Sequence, residues 1–126
     1  EESTRLKTLW AKVFPEMAQY WKRGYGRSTV ITDTGFIRSD CSYTEFLNCA
    51  MQTKVAEGCK VMLYNLTKAG YKVTAFVHDQ ILISHPIEDA PRALADVKRI
   101  MENSMAILIK GVKVSVDAKL KDKFEK

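Results

Sequence analysis

The sequence predicts an α+β domain, a small and mainly antiparallel sheet covered by helices. Apolar residues recur at helical spacing in four segments and form short β-prone stretches in five others. Tight turn sequences join strand stretches that neighbour each other in the chain, so their pairing is antiparallel. Strands and helices mix without a repeating βαβ unit, the pattern of an α+β layer with helices on one face of the sheet. A length of 126 residues fits one domain over residues 1–126 and buries a core without disulfides or a structural metal.

The elements follow in order. Residues 4–13 read as a short helix with Leu6, Leu9, Trp10 and Val13 on one face. Pro15 opens a second helix as a first-turn proline, and that helix carries Met17, Ala18, Tyr20 and Trp21 before Gly24 or Gly26 stops it. Residues 28–39 read as a hairpin turning at Asp33-Thr34-Gly35. Ser42-Tyr43-Thr44-Glu45 is a capping box. It opens a long helix with Phe46, Leu47, Ala50, Met51, Val55, Cys59, Met62, Leu63 and Leu66 on one face and Gly70 just past its end. Residues 71–77 and 80–84 are two strands joined at His78-Asp79; being apolar on both faces, they predict the middle of a covered sheet. Residues 88–105 form a helix with Ala90, Leu94, Val97, Ile100, Met101 and Met105 inward. Alternation of Val112, Val114 and Val116 with Lys113, Ser115 and Asp117 predicts a last strand over 113–119.

Composition narrows the function. An apolar share of 46% with 28% charged residues is ordinary for a folded domain and argues against disorder. The net charge of +5 favours an anionic partner, nucleic acid being the commonest, although a merely soluble basic surface has the same charge. Cys41, Cys49 and Cys59 are odd in number and lack CxxC spacing, which argues against a disulfide framework and a zinc site. Cys49 and Cys59 fall in a helical pattern as small core residues of a reducing compartment. The polar, acidic amino terminus is no signal peptide, and no apolar run approaches membrane-spanning length, so the expected location is intracellular and no membrane is expected as partner.

The stretch Thr74-Ala75-Phe76-Val77-His78-Asp79-Gln80-Ile81-Leu82-Ile83-Ser84-His85-Pro86 sets a polar pair inside an apolar run. A carboxylate at a hairpin tip is held rigidly and faces solvent or a cleft. Magnesium in phosphoryl-transfer sites uses such a group, taking few protein carboxylates and keeping positions for water and phosphate oxygens. His-Asp is also tolerable turn chemistry, which leaves Asp79 open as a simple turn former. His85 has no role in this reading.

Four motifs in order carry a family resemblance. Phe14-Pro15 precedes Tyr20-Trp21, Thr32-Asp33-Thr34-Gly35-Phe36-Ile37-Arg38 forms a turn with a terminal arginine, Asn48 and Gln52 stand four apart near the start of a long helix, and Val77-His78-Asp79-Gln80 follows about thirty residues later. The set resembles the carboxy-terminal part of the palm subdomain in family A DNA polymerases, the bacterial polymerase I type and its phage relatives, over nearly the whole chain. Their motifs are a Tyr-Pro helix, Thr-x-x-Gly-Arg-x-Arg, Asn-x-x-x-Gln and Val-His-Asp-Glu. The resemblance implies a DNA-directed DNA polymerase part acting in DNA replication in a bacterial or phage-infected cell. It implies that Asp79 is a ligand of the catalytic Mg2+ ions and that His78 contacts the primer-terminal backbone. It places Arg38, Thr44, Asn48 and Gln52 at the double-stranded primer–template DNA, with the two amides on one helix face reading minor-groove acceptors that look alike in every base pair. Without the resemblance, Asn48 and Gln52 also read as ordinary exposed polar positions.

This chain departs from the family pattern at several positions. Gln80 replaces the usual glutamate and removes one negative charge near the metals. Phe76, Thr53 and Phe36 stand where Gln, Gly and Arg are usual, and Thr44 takes the place of a DNA-contacting arginine. The family's first carboxylate motif and its triphosphate-binding fingers helix are missing from the sequence. Asp40-Cys41-Ser42-Tyr43-Thr44-Glu45 loosely echoes that first motif, which makes Asp40 a candidate second metal ligand; Asp and Ser before a helix are also common caps. Two-metal chemistry needs carboxylates from two strands, so the isolated chain is expected not to polymerise DNA. It is expected to work with a second polypeptide carrying the missing palm motif and fingers. The alternative is a degenerate, non-catalytic DNA-binding or interaction module.

Overall fold

The computed structural model describes residues 1–123, an α+β arrangement of four α-helices and two small antiparallel sheets. The helices are α1 (Glu2–Val13), α2 (Pro15–Lys22), α3 (Tyr43–Lys68) and α4 (Ala90–Leu108). The strands are β1 (Val30–Ile31) with β2 (Ile37–Arg38), and β3 (Lys72–Val77) with β4 (Gln80–Ser84). The chain divides into two compact units, Glu1–Thr53 and Lys54–Lys126, and α3 runs unbroken through the division.

In the first unit, Pro15 starts α2 at its first turn, where a missing N–H leaves nothing unsatisfied. The β1–β2 turn is closed by the Gly35 and Phe36 amides: Gly35 donates to the Thr32 carbonyl at 3.0 Å and Phe36 to Thr32 Oγ1 at 3.1 Å. Gly35 adopts φ +89°, which a side chain would resist. The capping box forms as the sequence predicts. Glu45 Oε2 accepts from the Ser42 N–H at 2.9 Å and from Ser42 Oγ at 2.8 Å, so the first turn of α3 is fastened. Val30, Cys41 and Cys49 make a small core with Phe46 and Ala50 against it.

In the second unit, α3 ends as Gly70 predicts. The Gly70 N–H donates to the Thr67 carbonyl and the Tyr71 N–H to the Leu66 carbonyl, with Gly70 at φ +89°, a Schellman motif. The chain then enters the β3–β4 hairpin, whose register runs from Lys72↔Ser84 to Val77↔Gln80. Thr74 is an extra residue, a bulge, and its hydroxyl donates to the Leu82 carbonyl at 3.1 Å. The core holds Cys59, Met62 and Met105, packed by Ile81, Met101, Ile109 and Val114, and Leu66 is fully buried. Each such side chain, fully buried, contributes about 1.5–3 kcal/mol.

Several expectations are corrected. The β3–β4 hairpin is a separate two-stranded sheet among the described residues, not the middle of a covered one: Phe76 and Val77 stay 42% and 41% exposed. Residues 113–119 form no strand. Val114, Val116 and Ala118 are half-buried between exposed neighbours, so the alternation is present, but the Val116 N–H goes to Glu102 Oε1 at 3.0 Å instead of to a ladder. The apolar row of α1 is covered only in part: Trp10 is half-buried and stacks on Trp21, while Leu6, Leu9 and Val13 are each more than half exposed. On α3, Met51 and Val55 are exposed rather than inward. On α4, Met105 is buried while Ala90, Leu94, Val97, Ile100 and Met101 are half-buried, and Ser104 joins Ala93 in the interior. All three cysteines are free and buried, Cys41 included.

Candidate functional site

The candidate residues fall into two groups, one in each unit. His78 and Asp79 form the two-residue tip of the β3–β4 hairpin, flanked by the closing pair Val77↔Gln80. Both are exposed, and His78 has φ +56°, the positive value that the short hairpin turns demand at their first loop position. The tip is therefore fixed by strand register while its side chains stay open. Ile81, one residue past the closing pair, packs against the core cluster of Cys59, Met62 and Met105 and so ties the hairpin to the helices. The Cys59 thiol is pushed above its ordinary pKa, first by burial and then by the negative charge of Asp79.

Arg38, Asp40, Thr44, Asn48 and Gln52 belong to the first unit. Thr44, Asn48 and Gln52 recur every four residues along α3 and are all exposed, which makes one polar row. Arg38, at the end of β2, reaches the head of α3 through Glu45: its Nη2 donates to Glu45 Oε1 at 3.0 Å. The guanidinium is held above its ordinary pKa by Cys49 first, then Cys41 and Glu45. Glu45 is held below the usual carboxylate range by the Ser42 amide and hydroxyl first, then Arg38. Asp40 lies in the link between β2 and α3 with φ +57°, beside Cys41, whose N–H donates to the Ser28 carbonyl at 2.8 Å.

A magnesium ion takes one or two carboxylates from protein and fills its remaining positions with water and phosphate. A single exposed carboxylate on a fixed turn fits that share. No group of three His, Cys, Asp or Glu suited to hold a metal occurs among the described residues.

The structure adds polar clusters that the sequence did not reveal. At the base of the hairpin, His85 Nε2 lies 3.4 Å from Asp89 Oδ2, and Asp89 binds Arg92 through two contacts of 2.7 and 2.8 Å. Tyr71 donates to Asp96 Oδ2 at 2.7 Å, and Arg99 pairs with the same aspartate. The His85–Asp89 and Asp89–Arg92 spacings of four and three are a local signal that could have flagged these pairs; the 25-residue Tyr71–Asp96 contact has none. In the first unit Tyr25 stacks on Tyr43.

Against known proteins, the chain matches no family model, no curated protein and no solved structure.

Proposed function

We propose that this chain is the carboxy-terminal palm portion of a family A-type DNA polymerase, incomplete alone and completed by a second polypeptide. The observation that carries this reading is the tip of the β3–β4 hairpin, an exposed His-Asp pair held by strand register after a long helix that displays Thr44, Asn48 and Gln52 in one row. Asp79 is the proposed ligand for Mg2+, and the bound ion supplies neutralisation of phosphate charge during nucleotidyl transfer. His78 offers a ring nitrogen beside it for the primer-terminal backbone. Arg38 gives a permanent cation for phosphate, and Thr44, Asn48 and Gln52 give neutral donors that suit sequence-independent contact with duplex DNA. The exposed row of Leu6, Leu9 and Val13 also supports a chain that meets another polypeptide.

The test is manganese titration of the isotopically labelled chain, with and without primer–template DNA, read at the backbone amides of residues 77–81. Broadening centred on Asp79 in the presence of DNA, abolished by Asp79→Asn, supports the reading. Duplex binding with no manganese effect at Asp79 favours the second one, a non-catalytic DNA-binding module, for which Gln80 in place of a carboxylate is the specific observation. Primer extension by the chain together with its completing polypeptide must then fail on Asp79→Ala; an active pair indifferent to Asp79 would defeat the polymerase proposal.

A further inference from the structure

We infer that Tyr25 is a stacking platform for an unpaired base of single-stranded nucleic acid, with Lys22, Arg23 and Arg27 engaging the flanking phosphates. The platform is built by the turn after α2. Gly24 donates to the Trp21 carbonyl at 3.1 Å, Tyr25 to that of Lys22 at 3.3 Å, and Arg27 to that of Gly24 at 3.3 Å. Gly26, at φ +69°, lets the turn close. Beneath lies Tyr43, whose hydroxyl donates to the Trp21 carbonyl at 3.1 Å. A Cβ at Gly24 would stand 2.9 Å from two Tyr43 ring carbons, so only glycine lets the turn lie directly on that ring.

Tyr25 then stacks on Tyr43, centroids 5.2 Å apart and planes 14° apart. With one face covered in this way, Tyr25 is still 69% exposed. Its other face is open, and its ring is positioned from below and by the turn's hydrogen bonds. An exposed ring ordered in advance binds a base with little further loss of conformational freedom. The near-parallel pair extends naturally by a third ring, and every base has a π-face to offer.

The surrounding charge selects a polyanion. Lys22, Arg23 and Arg27 are exposed and take part in no ion pair among the described residues. The nearest carboxylate along α3, Glu45, is occupied by Arg38 and Ser42. An acidic protein would satisfy the cations and leave the open ring unused; duplex DNA keeps its bases stacked inside. A single strand uses both features.

This inference uses none of the proposed polymerase residues and is tested in EDTA, so its failure and that of the Asp79 proposal are separable. Binding of a fluorescent oligothymidylate is followed by anisotropy at low salt, with inorganic polyphosphate as the polyanion that lacks bases. Stacking of one base is worth about 1–3 kcal/mol, so Tyr25→Ala is expected to weaken oligothymidylate binding by about fivefold to a hundredfold. Tyr25→Phe restores it, and polyphosphate binding is unchanged by either. Irradiation of an oligonucleotide carrying 5-iodouracil crosslinks to Tyr25, a readout independent of any variant's folding. Native affinity in Tyr25→Ala, or crosslinks that avoid Tyr25, overturns the inference; equal loss of polyphosphate binding does so as well, because the effect would then be one of charge or folding.

Discussion

A left-handed backbone at a residue with a Cβ costs roughly 1–2 kcal/mol, and the described residues hold two such cases outside glycine, Asp40 and His78. At His78 the hairpin's two-residue loop imposes the conformation. His78→Gly is expected to raise stability by about 0.5–1 kcal/mol, the relief of strain being partly offset by the greater freedom of glycine when unfolded. Thermal melting followed by circular dichroism checks this; a melting temperature at or below that of the native chain would show that the conformation carries no strain. Asp89 gives a second expectation at this scale. Its carboxyl is pulled from its ordinary 3.8 to about 2, first by the hydrogen bonds from Arg92, with burial opposing and His85 assisting. Because the folded pKa is the lower one, its stabilising effect is complete above about pH 4 and disappears as pH falls toward 2. Asp89→Asn is expected to narrow the gap to the native chain's melting temperature as pH falls through that window. Glu45 and Asp96 are lowered too and keep part of the acid slope. A gap that stays constant with pH would remove Asp89 from the account.

Elements are decided by local signals at their ends and by distant partners at their middles. Ser42 with Glu45, Pro15, and Gly70 were legible because each acts within four or five residues of itself. Gly58 was not. Inside a helix, alanine is better than glycine by about 1 kcal/mol, which by itself makes Gly58→Ala stabilising. Yet a Cβ there would clash with Met105 Sδ and lie 2.8 Å from its Cε, and overpacking costs about 1–3 kcal/mol. Packing wins this comparison because the buried Met105 would have to leave the seat that its thioether now fills against the helix backbone. Gly58→Ala is expected to lower the urea midpoint, and the same change made in a Met105→Ala background to cost less or nothing. A higher midpoint for Gly58→Ala alone would mean that Met105 yields freely. The contact joins residues 47 apart in sequence, and no local pattern announces it.

Over the whole molecule, periodicity read the elements well and their covering poorly. The apolar rows of α1, α3 and α4 were visible as rows, but a row shows which face is apolar and not what meets it. Leu6, Leu9 and Val13 share a face and meet no core among the described residues; Leu66, by the same spacing, is fully buried. Likewise the valines at 114 and 116 alternate as a strand would, while the ladder partner that would make them one is not encoded nearby. The candidate site followed the same division. His78-Asp79 at a hairpin tip and the Asn48–Gln52 pair are local patterns, and both took the places their spacing set, with Thr44 extending the row one turn earlier. The Tyr25–Tyr43 stack spans 18 residues and depends on Gly24 and Gly26, so only the folded chain displays it.

The seat of Met105 on Gly58 also gives the second unit a particular sensitivity to oxidants. Met17 and Met51 are exposed and would be consumed first, whereas Met105 is buried and reacts faster when its unit opens. Once the sulfoxide has formed, its added polar oxygen has no space beside the bare helix backbone at Gly58 and no place in the apolar core. Reclosing would then wait on enzymatic reduction, so a brief opening during peroxide exposure becomes a lasting loss of the fold around the hairpin.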